Sequence, residues 1–124
     1  MKQVLATEQA PAAIGPYSQG IAAGETVYVS GQLPLDPATG AFPEGIAAQT
    51  AQSLKNIQAI LAQQGMTLAN VVKTTVFLAD INDFAEMNKV YGEFFTQPYT
   101  ARSAVQVAKL PKDAPLEIEC IAVK

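Results

Sequence analysis

The sequence has no histidine, one cysteine and one arginine among its 124 residues. Each scarcity removes a chemistry. Without histidine there is no Ser-His or Cys-His nucleophile pair and no His-rich zinc site, and one cysteine can neither close an intrachain disulfide nor supply a thiolate cluster. An unpaired thiol suits a reducing compartment, so a cytoplasmic location is expected. Charge is also thin: 15% of residues are charged, where soluble domains average about 25%. The net charge of −3 leaves no basic face for a phosphate backbone, so nucleic acid is not an expected partner. No run approaches the ~18 apolar residues of a membrane span, and the start, MKQVLATEQAP, lacks the apolar core of a signal peptide.

What is present is a hydrophobic fraction of 49% in a 13.1 kDa chain. Folding should bury roughly two thirds of the extended chain's surface in one domain, residues 1–124. Self-association would account for the apolar surplus, as would surface alanines.

Residues 2–6 suit a short strand, followed by the Pro/Gly-punctuated segment APAAIGPYSQG. Residues 19–30 read as a hairpin turning at Ala22-Ala23-Gly24-Glu25, with Thr26 to Ser30 alternating at period two. Gly31 to Gly45 carries Pro34, Pro37, Gly40 and Pro43 and predicts an ordered loop without regular structure. Apolar residues at helical spacing from Ile46 to Gln64, stopped by Gly65, predict the first helix. Val71 to Leu78 is rich in β-branched residues and reads as a central strand. Asp83 and Glu86 have the form of a capping box opening a second helix through Phe95. Two strands follow, Ser103 to Val107 and Leu116 to Val123. This order predicts an α+β (α/β) fold: a mixed sheet with two helices on one face. The other sheet face then has no cover within the chain, which points to an oligomer interface.

Arg102 opens a strand with small neighbours, and its planar guanidinium can grip a carboxylate in two-pronged fashion. A surface acid partner is the plainer expectation for it; recognition of an anionic ligand is the functional one. Alternation places Glu117 and Glu119 on one strand face, where like charges would raise one pKa, while Ile118 and Cys120 face the core. Asn88 interrupts the apolar stripe of the second helix and needs a partner if buried. Tyr28 and Ser30 share a strand face, Gly31 would admit a ligand close to the backbone, and Tyr17 follows a Gly-Pro turn.

Taken together, Ala10 to Gly20, Ser30-Gly-Gln-Leu-Pro34, Asp36 to Gly40, Val72 to Leu78, Asp80 to Phe84 with Asn88, Ala101 to Val105 and Leu116-Glu-Ile-Glu119 resemble the RidA/YjgF family of enamine/imine deaminases. The resemblance implies a chorismate-mutase-like six-stranded fold and a homotrimer with active sites between subunits. It also implies hydrolysis of 2-iminopropanoate and 2-iminobutanoate, released by pyridoxal-phosphate dehydratases, to 2-oxo acids and ammonia, with no cofactor or metal. In that picture Arg102 grips the substrate carboxylate and Glu119 orients or activates water. Tyr17, Ser30, Gly31 and Asn88 line the pocket, and the backbone of Ala104 touches the substrate. Two positions depart from the family pattern: Ala104 stands where several members have cysteine, and Thr100 where many have proline. A non-catalytic trimeric binder of 2-oxo acids is the alternative of another class, and some members have been described as ribonucleases, translation inhibitors or chaperones.

Overall fold

The computed structural model describes residues 1–124. Six strands form one sheet: β1 Lys2–Leu5, β2 Gly20–Ala23, β3 Thr26–Gln32, β4 Val71–Leu78, β5 Ala101–Gln106 and β6 Leu116–Val123, in the order β1-β2-β3-β6-β4-β5. All neighbours are antiparallel except β4 and β5. That parallel pair requires a crossover, which α2 (Phe84–Phe94) supplies. With α1 (Ile46–Ala62) it covers one face of the sheet, giving the expected mixed α+β architecture.

Period-two alternation decides which side of each strand meets the helices. Along β6, Leu116, Ile118, Cys120 and Ala122 are buried, and Thr74, Val76 and Leu78 of β4 lie on the same side. These side chains pack against Leu54, Ile57, Ile60 and Leu61 of α1 and Met87 and Tyr91 of α2. The opposite face carries Tyr28, Thr75, Phe77, Val105, Glu117, Glu119 and Ile121, with no second layer over it.

Helix α1 stops where Gly65 predicts. Gly65 adopts a left-handed φ of 68°, its N–H bonds the Ala62 carbonyl, and the Met66 N–H bonds that of Leu61. This is the Schellman pattern, with Met66 as the buried hydrophobic residue that follows it.

The second helix departs from expectation. Asp83 is helical in backbone and makes no capping bond, so the Asp83/Glu86 box does not form. Asp80 instead accepts from the Asn82 N–H and opens a 3-10 turn at Ile81–Asp83 that runs straight into α2. A reciprocal capping box occurs at Thr67 and Asn70, ahead of β4. Strand β5 also begins two residues earlier than Ser103, because Ala101 and Arg102 pair with Lys73 and Thr74 of β4.

The loop after β3 is held by one side chain. Asn56 is fully buried in α1; its amide donates to the carbonyls of Leu33 at 3.2 Å and Leu35 at 2.9 Å, and its oxygen accepts from Gln52. A buried amide without these partners would cost a few kcal/mol, about 1–3 per unsatisfied group.

Candidate active site

Strand β3 does not pair evenly with β6. Val29 faces Cys120 and Gln32 faces Ile118, so Ser30 and Gly31 together oppose the single residue Glu119. This is a β-bulge, a device that bends a strand and re-aims its side chains. Here it brings the Gly31 backbone against Glu117. A Cβ on Gly31 would lie 2.6 Å from the Glu117 Cδ and 2.9 Å from its Oε2, so only glycine lets that carboxyl rest there.

Ser30 is fixed on the other side of the bulge. Its hydroxyl donates to the Ser18 carbonyl at 2.6 Å and its N–H to the Gln19 carbonyl at 2.9 Å. Gln19 organises the preceding segment in turn: its oxygen accepts from the Thr7 N–H, and its amide donates to the carbonyls of Thr7, Ala10 and Pro11. Tyr17 is thereby carried to the rim, 54% exposed. Tyr17, Ser30, Gly31, Glu117 and Glu119 line one cavity of about 720 Å³, together with Lys112. Lys112 and Asp113 both hold left-handed backbones, φ 58° and 52°, which residues other than glycine adopt only when their surroundings impose it.

The carboxylates are not equivalent. Glu119 is exposed, whereas Glu117 is half-buried, and its carboxyl is pushed above the ordinary value by burial and then by the Glu119 charge. Cys120 points the opposite way into the core. Its thiol is pushed up to about 12, again mainly by burial, and it belongs to the packing.

Arg102 lies elsewhere. In one row across the sheet, Arg102 pairs with Thr74 and Thr74 with Cys120, so Arg102 is on the helix face. Glu119, one residue from Cys120 along β6, is on the open face, and two strand spacings of about 4.8 Å separate their backbones as well. The guanidinium donates to the Asn88 Oδ1 at 2.7 Å and sits over the Tyr91 ring at 4.7 Å and the Phe84 ring at 5.5 Å. The expected surface acid is absent, since the chain's single ion pair joins Lys109 and Asp113. The amide oxygen and two rings that hold it are neutral, so its charge is available to an anion.

Below it, the Tyr91 hydroxyl bonds Thr74 Oγ1 at 2.6 Å and Thr100 Oγ1 at 2.9 Å. Thr100, where the resemblance implies proline, thus has a definite partner in the Tyr91 hydroxyl. Asn88, Tyr91, Gly92, Tyr99, Thr100 and Arg102 line a second cavity of about 500 Å³. Ala104, two residues along β5, is half-buried and packs against the core beside Val76.

The structure therefore brings together Tyr17, Ser30, Gly31 and Glu119 in one place, and Arg102 and Asn88 in another. Sequence reasoning did not single out Gln19, Lys112 or the hydroxyl pair Tyr91 and Thr100 as parts of these places. Gln19 and Thr100 lie inside the quoted motifs or beside them, which was the available signal.

The endoribonuclease L-PSP family profile matches residues 7–124. The chain belongs to this family. It is the RidA/YjgF family that the motifs resemble. The 2-iminobutanoate/2-iminopropanoate deaminase of Salmonella typhimurium is 53% identical over 127 residues, covering 100% of this chain and 99% of the relative. Among solved structures, the YjgF gene product of Escherichia coli superposes with a TM-score of 0.94 at 51% identity, over 98% of both chains. Escherichia coli TdcF with bound serine does so with a TM-score of 0.94 at 47% identity, again over 98% of both. No helix of this RidA-family chain is long and apolar enough to cross a membrane.

Proposed function

We propose that the chain is an imine deaminase, hydrolysing 2-iminopropanoate and 2-iminobutanoate to 2-oxo acids and ammonia, and that it works as a homotrimer. The observation that carries this reading is the uncompensated Arg102 guanidinium, held in place by the Asn88 oxygen and two aromatic rings and free to take a carboxylate. The names of the deaminase relatives supply the reaction class, and the serine held by TdcF is itself an amino acid with a carboxylate.

One chain holds the two halves of such a site on opposite faces of its sheet. In the proposed assembly the open face packs against a second copy, the Glu119 cavity of one subunit meets the Arg102 cavity of its neighbour, and cyclic repetition of that heterologous contact closes a trimer. Tyr28, Phe77, Val105 and Ile121 give the open face the apolar character that such a contact buries. Residues 1–124 act as one domain in this assembly.

Within the cleft, Arg102 binds the substrate carboxylate and Asn88 keeps the guanidinium aimed. Glu119 orients the water that attacks the imine carbon, Tyr17, Ser30 and Gly31 shape the wall, and the Ala104 backbone borders the substrate. A protonated C=N bond is already electrophilic, so orientation and acid/base help suffice for the reaction. Such help contributes about 10²–10⁴-fold. A cytoplasmic site of action, suited to the unpaired Cys120 thiol, belongs to this reading.

The test is ammonia release from 2-iminobutanoate generated in situ, with wild type and Arg102→Ala side by side. Acceleration over buffer that Arg102→Ala loses is the expected result. Binding of 2-oxobutanoate without any acceleration would replace the deaminase with a metabolite sensor.

A further inference from the structure

Gly92 is the one glycine that the fold does not require. Five of the chain's eight glycines hold a positive φ, and Gly20 and Gly31 are pressed so closely that a Cβ would stand 2.9 Å and 2.6 Å from its nearest neighbour. Gly92 lies within α2 without a positive φ, and a Cβ there would meet nothing within 4 Å. Glycine weakens a helix relative to alanine, so neither backbone nor packing favours it at this position. What it provides is empty space.

That space belongs to the Arg102 cavity. Gly92 follows Asn88 by four residues, so the two are neighbours on one helix face, and the Asn88 oxygen holds the Arg102 guanidinium at 2.7 Å. Both line the cavity of about 500 Å³, with Tyr91, Tyr99 and Thr100. Pockets of ~300–1,000 Å³ take ligands of drug size, so 2-iminobutanoate leaves much of this one open.

We propose that Gly92 is a specificity-determining residue: its missing side chain leaves room beside Arg102 for an apolar substrate side chain longer than the ethyl group of 2-iminobutanoate. This assignment rests on the deaminase reading. With the carboxylate on Arg102, the side chain of the imine runs along α2 past Asn88 to Gly92.

The wall decides which side chains suit that room. Arg102 is the only charged residue of the six that line it, and the substrate carboxylate takes its charge. The Asn88 oxygen is engaged by Arg102, and the Tyr91 and Thr100 hydroxyls bond each other. Ring surface is what remains, with Tyr99, 60% exposed, adding a second ring to that of Tyr91. A charged side chain would lose hydration there and find no counter-charge. A branched aliphatic or aromatic one would gain from contact with the rings.

The experiment compares kcat/KM for two imines generated in situ by the same amino-acid oxidase, 2-iminobutanoate and the imine derived from leucine, on wild type, Gly92→Ala and Gly92→Leu. The readout is the ratio of the longer imine to the shorter. Gly92→Leu should lower that ratio about tenfold or more, as expected when an apolar pocket is filled by several carbons, and Gly92→Ala should lower it by a smaller factor. Gly92→Ala carries the test should Gly92→Leu fail to fold, because alanine favours the helix and should raise the melting temperature. An active wild type whose ratio both variants keep overturns the proposal and leaves the deaminase intact, as does a wild type that turns over 2-iminobutanoate but not the longer imine. A folded Gly92→Leu protein that loses the wild-type sedimentation mass also overturns it, since the space would then belong to a neighbouring copy. A wild type that accelerates neither imine overturns both readings.

Discussion

The two cavities that hold the candidate residues are built by opposite means. The Glu119 half is made by backbone: a bulge, a glycine under a carboxyl, and Gln19 holding three carbonyls in place. The Arg102 half is made by side chains: two rings and an amide oxygen around a guanidinium, with the hydroxyls of Thr74 and Thr100 bracing Tyr91 from beneath. The first half gathers carboxyls and lacks an arginine; the second offers a cation and holds no acid. A carboxylate-bearing imine needs both, which is why the division between opposite sheet faces argues for a site shared between copies.

Substitutions in each half should sharpen that contrast. In the proposed scheme Glu119 orients the attacking water, so Glu119→Gln should lower kcat by about 10³-fold, within the range for acid/base groups, with little change in KM. Arg102→Ala removes charge-assisted bonds of about 1.5–3 kcal/mol and should act mainly on KM, raising it about a hundredfold. Arg102→Lys should recover only part of this, because an ammonium lacks the planar fork. Asn88→Ala leaves the cation present but unaimed, with an expected KM increase of about tenfold. Thr100→Val takes one of two partners from the Tyr91 hydroxyl; a loss of about 1 kcal/mol in stability by denaturant titration is expected. The smallest effect should be a gain. A carboxyl whose folded pKa is raised contributes stability below its unfolded pKa and loses it as pH rises toward the folded one, so Glu117→Gln should melt no lower than wild type at pH 7. A lower melting temperature there would make Glu117 a structural residue.

Much of the fold was legible because it depends on local pattern. The Ile46 helix with its Gly65 stop, and the alternation that turns Glu117 and Glu119 away from Ile118 and Cys120, follow from period and from the φ that glycine permits. The bulge was not legible, since two residues opposing one is a property of the pairing with β6. Asp83 and Glu86 had the right spacing for a cap, but a 3-10 turn begun by Asp80 had already satisfied the helix start. Arg102 was legible as a residue of interest, while its freedom from any acid depends on which side chains α2 brings across the sheet.

Subunit complementation tests the shared site most directly. Arg102→Ala and Glu119→Gln subunits, each about a hundredfold or more impaired alone at substrate concentrations below the wild-type KM, are co-expressed so that mixed trimers form. With each site drawn from two neighbouring subunits, random mixing leaves about a quarter of the sites with both an intact Arg102 and an intact Glu119, and activity should return to about that fraction of wild type. Mixed trimers that form and remain as impaired as either parent would place both residues of each site in a single chain and contradict the account.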